Sequence, residues 1–116
     1  MKCPYLIMVL IFNNMKNFCF KIFNSTWTVS FVDKVELSNS EGFFFGKTNV
    51  CTNKILVATK DLDGNPLPQT TIEITILHEM MHAILSSGQY ESYTNDEPLV
   101  EWLANCIYSL KQQGKL

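Results

Sequence analysis

The stretch Gln69–Ser87, QTTIEITILHEMMHAILSS, decides how this 116-residue chain is read. It has no proline or glycine, and Gly88 follows it directly, so it reads as one helix stopped by a glycine. The only two histidines of the chain, His78 and His82, lie in it four residues apart, with Glu79 between them. On a helix, positions i and i+4 share a face, so both imidazoles can reach one ion. At about 100° per residue, Thr71, Thr75, His78, Glu79, His82 and Ser86 fall within an arc of about 100°. Ile72, Ile74, Ile76, Leu77, Met80, Met81, Ala83, Ile84 and Leu85 fill the rest, with Glu73 the one exception. Such a helix is expected to be buried on most of its circumference and to line something polar with one narrow stripe.

Two histidines make a weak site, because catalytic zinc usually has three protein ligands and leaves its fourth position to water. No third histidine exists and no cysteine lies near the motif, so the missing ligand is expected to be a carboxylate from a second helix. Pro98 suits the first turn of that helix, with Asn95 or Asp96 as its cap, and the helix is expected to end near Gln113, before Gly114. Asp96, Glu97 and Glu101 are the candidates. Glu97, Asn105, Tyr108 and Gln112 share a face with Glu101, while Leu99, Trp102, Leu103, Cys106, Ile107 and Leu110 occupy the opposite side, expected to be core. A mid-helix position holds a ligand better than a loop end. Glu101 is therefore the first expectation and Glu97 the alternative.

Upstream of Gln69 the pattern has a different period. Lys16–Ile22, Ser25–Leu37, Phe43–Cys51 and Lys54–Thr59 are rich in aromatic and β-branched residues and read as strands. Ser38–Gly42 and Thr52–Asn53 read as turns, and Asp61–Pro68 is the most turn-rich stretch. Gln89–Asp96 reads as a polar loop. Strands first and helices second make an α+β domain with a small, mostly antiparallel sheet. An edge strand drawn from Gly42–Val57 would suit pairing with an extended peptide.

Composition narrows the function classes. Hydrophobic residues make up 47% and charged residues 17%, which is globular composition. All nine basic residues are lysines, and the net charge is −2. The residue best suited to forking onto phosphate or guanine is absent, so no nucleic-acid partner is expected. No apolar run reaches the length of a membrane span. Cys3, Cys19, Cys51 and Cys106 form no CxxC pair, and free thiols in a reducing compartment are expected. Residues 1–14 read as an extension to a single domain over 15–116. Lys2 and the run Tyr5–Phe12 resemble the front of a signal peptide, without a small-x-small cleavage site. A start at Met15, an extra strand and export all stay open.

HExxH followed by a glutamate on the next helix resembles the gluzincin pattern. Glu101-Trp-Leu-Ala104-Asn105 is similar to the Glu-x-x-Ala-Asn signature of ImmA/IrrE-type metallopeptidases, small zincin domains common in phages and mobile elements. Ile55-Leu56-Val57 matches the short strand that precedes their motif helix. The resemblance covers roughly residues 42–110. It implies a minimal zincin-like fold, one Zn2+ held by His78, His82 and Glu101, and Glu79 as catalytic base in peptide-bond hydrolysis. It also implies a peptide or protein substrate and the cytoplasm of a bacterial host. Asn105 is expected to hold a ligand from behind. Tyr90, Tyr93 and Tyr108 are the only candidate phenols for a transition-state contact, and each reads better as a loop aromatic or, for Tyr108, a rim residue of the second helix. The alternative is an inactive zincin-fold module that binds a protein partner, with zinc serving stability.

Overall fold

The computed structural model describes residues 16–35 and 45–116. Its elements are strands β1 (Phe18–Ile22), β2 (Ser25–Val32), β3 (Gly46–Asn49) and β4 (Lys54–Ala58), then helices α1 (Gln69–Ser87), α2 (Glu91–Thr94) and α3 (Glu97–Gln112). The fold is α+β. The strands form one sheet in the order β1-β2-β4-β3. β1–β2 and β3–β4 pair antiparallel, and β2–β4 pairs parallel, so the sheet is mixed. The strands are shorter than the sequence pattern suggests. Readings that fall on residues 1–15 and 36–44, among them the N-terminal extension and the Ser38–Gly42 turn, lie outside the described residues.

Alternation explains which face the sheet buries. Trp27 and Val29 of β2 and Ile55 and Val57 of β4 point to one side, where Ile72, Ile76 and Ala83 of α1 meet them together with Phe18. Val29, Ile55 and Val57 are fully buried. The turn Asp61–Pro68 brings the chain from β4 to α1. Asp61 Oδ1 accepts from the backbone N–H of Asp63 and of Asn65, each at 2.9 Å, and Gly64 supplies a φ of 83°.

α1 has the bounds read from the sequence. α3 begins at Glu97, with Pro98 in its first turn and Asp96 as cap, whose Oδ1 accepts from Leu99 N–H at 3.2 Å. α3 packs on α1. Its buried residues are Val100 and Ala104, a valine and an alanine that allow close approach. This corrects the expected core side of α3: Trp102 is 65% exposed and Leu110 is exposed as well. Ile84 of α1 is likewise exposed, so that helix is less enclosed than its composition suggests. Two helices were expected after the sheet, and the polar loop between them adds the one-turn α2. The expectation of free thiols holds for Cys51 and Cys106. It fails for Cys19, which is disulfide-bonded. No helix of the described residues is long and apolar enough to cross a membrane.

Candidate metal centre

α1 lies against both its helical partner and the edge strand β3, and its polar stripe faces the cleft between them. Every residue of that stripe lines one of two adjoining hollows. One, of about 330 Å3, is bounded by His78, Glu79, His82 and Ser86 together with β3 and the α2 segment. The other, of about 350 Å3, is bounded by Thr71, Thr75, His78 and Glu79 with Phe45, Ile74, Glu97 and Glu101. Gly46, His78, Glu79 and Glu97 are shared by the two. The narrow stripe read from the helical wheel is thus the floor of a cleft.

The donor atoms converge at its centre. His78 Nε2 and His82 Nε2 are 3.2 Å apart. Glu97 spans both, with Oε2 at 2.9 Å from His78 Nε2 and Oε1 at 3.0 Å from His82 Nε2. His78, His82 and Glu97 form a group that could hold a metal ion, with ligand atoms all within 4.8 Å of one another. Glu101 reaches the other side of the first imidazole: its Oε2 lies 2.5 Å from His78 Nδ1. The side chain of Asn105 donates to Glu101 Oε1 at 3.1 Å and to its carbonyl at 2.8 Å. The geometry therefore favours Glu97, the alternative of the sequence reading, as the third donor. Asn105, expected to stand behind a metal ligand, holds Glu101, which is not among the three grouped donors. Tyr108 is half-buried on α3, and none of Tyr90, Tyr93 and Tyr108 lines either hollow.

Glu79 is buried beside this group, with Oε2 4.0 Å from His78 Nε2. Its Oε1 accepts from the Thr48 hydroxyl at 2.7 Å. Burial raises the Glu79 carboxyl above its ordinary value, against the opposing pull of the Thr48 hydrogen bond and of His78. Burial also lowers the His82 imidazole below its ordinary value, ahead of the opposing effect of Glu97. A depressed imidazole is neutral over a wider range of pH, which is the form a metal needs.

Three residues of this centre escape sequence reading. Thr48 and Gly46 lie on the same side of β3, as strand alternation requires, but nothing in the sequence says that this side faces Glu79. A Cβ on Gly46 would sit 2.7 Å from Glu79 Cγ and 2.8 Å from Thr75 Cγ2. Only a glycine lets the strand come this close to the helix. Gly46→Ala is expected to destabilise the fold by about 1–3 kcal/mol through overpacking, measured by denaturant unfolding. The third is Thr94, whose Oγ1 is 3.1 Å from His82 Nδ1. It sits in a segment with no periodicity to single it out. Compared with protein-family models, curated proteins and solved structures, the chain gives no match.

Proposed function

We propose that the chain is a zinc-dependent metallopeptidase of the gluzincin type, in which His78, His82 and Glu97 hold one zinc ion and Glu79 is the general base. The observation that carries this reading is the convergence of two imidazole nitrogens and a carboxylate beside a buried second carboxylate. The donor set suits the metal. Zinc prefers nitrogen and carboxylate oxygen at about 2.0–2.1 Å, and a tetrahedral ion with such bonds separates its ligand atoms by about 3.3–3.4 Å. The separations of 2.9, 3.0 and 3.2 Å, the first two to different oxygens of Glu97, are all somewhat shorter than that. Zinc, when bound, supplies a water that ionises near neutral pH and an electrophile for a carbonyl.

The remaining work falls to the chain's own side chains. Glu79 takes a proton from the attacking water and passes it to the leaving amine. Thr48 fixes one oxygen of this carboxylate, so the other, Oε2, is the one turned to the ligands. Burial makes Glu79 a better proton acceptor than a solvated glutamate. Glu101, held by Asn105, would accept the Nδ1 proton of His78 and so leave the Nε2 lone pair free for a metal. β3 is an outer strand of the sheet and borders the cleft, so an extended peptide can pair along it. Gly46 keeps that border low beside Glu79.

The test uses the full chain purified without a histidine tag. One zinc per chain is expected by elemental analysis, together with cleavage of an unfolded protein substrate. A chelator should abolish that cleavage, and added zinc should restore it. A protein that takes up no zinc overturns the reading. Stoichiometric zinc without hydrolysis overturns the peptidase assignment in favour of a binding module.

A further inference from the structure

We propose that Thr94 positions His82 for the metal, which makes the connection between α1 and α3 a working part of the site. The inference rests on the reading of His82 as a ligand. α2 is a helix of four residues, and Thr94 is the one it buries, at 7% exposure. Tyr90 and Tyr93, on the same connection, are left 56% and 52% exposed. A short segment anchored by the hydrophobic effect would turn a ring inward, since aromatic side chains bury the most area. This one turns in a hydroxyl, which is costly to bury unless it is hydrogen-bonded.

The partners of that hydroxyl say what it is for. Thr94 Oγ1 lies 3.1 Å from His82 Nδ1, 3.4 Å from the His82 carbonyl and 3.4 Å from Ser86 Oγ. A ligand histidine must present a lone pair on the nitrogen that faces the ion. His82 Nε2 is that nitrogen, so its proton must reside on Nδ1 and needs an acceptor there. Thr94 Oγ1 accepts it and still has its own proton to donate to the His82 carbonyl or to Ser86. His78 has a carboxylate in the same role; His82 has the neutral hydroxyl of Thr94, and the Thr94 backbone also hydrogen-bonds the ring. Threonine and serine can both accept from the ring while donating onward. Valine has the shape of threonine and cannot do either.

That contrast defines the experiment. Zinc affinity of the full chain is measured by competition with a chromophoric chelator for wild type, Thr94→Val and Thr94→Ser. The positioning role predicts binding about 10–100-fold weaker in Thr94→Val, and affinity within about threefold of wild type in Thr94→Ser. A role in packing alone predicts the reverse order, because valine keeps the buried methyl and serine loses it. Wild-type affinity in Thr94→Val overturns the inference. Zinc binding absent from wild type overturns instead the ligand reading on which it rests. Should Thr94→Val fail to fold, long-range proton–nitrogen spectra of the zinc-loaded wild type decide. A hydrogen-bonded proton on His82 Nδ1 supports the role, and coordination through Nδ1 overturns it.

Discussion

Glu97→Gln is expected to weaken zinc binding on the order of 10²–10³-fold, while Glu101→Gln weakens it by no more than about tenfold. The first figure follows from sharing the binding free energy of small zinc sites, about 10–16 kcal/mol over four ligands, which makes one ligand worth about 2.5–4 kcal/mol. An amide is a poor ligand for zinc, so Glu97→Gln removes one donor without removing its shape. Glu101→Gln keeps a carbonyl oxygen where His78 Nδ1 needs an acceptor, and loses only the charge of the interaction. The two substitutions are the same in chemistry and one helical turn apart, which controls for general effects on α3. Competition with a chromophoric chelator at pH 7.5 reads both. Equal losses would leave the two carboxylates undistinguished. A larger loss at Glu101 would reverse their roles and return the third ligand to the residue favoured by helical position alone.

Which of the two carboxylates stands level with the histidines is a matter of geometry. A helical wheel resolves angle about the axis and nothing along it. Glu97 and Glu101 share a face, and the wheel cannot say which of them is level with His78 and His82. The answer depends on how far α3 slides along α1, and that is set by Val100 and Ala104 meeting α1. The same limit explains Trp102. An apolar residue opposite the polar face was assigned to the core, but α3 is an outer element with one packed stripe, and Trp102 lies off it. By contrast, the bounds and the polar stripe of α1 were legible, though the exposure of Ile84 was not. Its breaker is a glycine, its length is ordinary for a helix, and its polar stripe is narrow because only one side meets a cleft. Thr48, Gly46 and Thr94 were not legible, since each acts on α1 from a strand or a single turn whose position comes only from tertiary packing. The parallel pairing of β2 with β4 belongs to the same class: two strands with similar patterns pair either way, and the intervening β3 decides it by returning along the far side of β4.

Glu79→Gln is expected to lower hydrolysis by about 10²–10⁴-fold, the usual worth of a positioned general base, without loss of zinc. Glutamine has the same outline and still accepts the Thr48 hydroxyl, so the ligands are not disturbed. The same substitution should raise the melting temperature of the metal-free protein at pH 7.5. In that state the Glu79 carboxyl is held above its ordinary value, chiefly by burial. A carboxyl whose folded-state pKa is raised favours the fold below its unfolded pKa, and that contribution is lost as pH rises through the folded value. Above that value the buried charge counts against folding, and a neutral amide removes it. Below the pKa of an ordinary glutamate the carboxyl is protonated in both states, so the advantage of the variant should vanish in acid. Thermal melts of both proteins from pH 4 to pH 8, stripped of metal, trace this difference. A residue kept for stability would show the opposite sign, with glutamine melting lower at neutral pH. Gain of stability together with loss of turnover is the signature of a charge kept in place for chemistry.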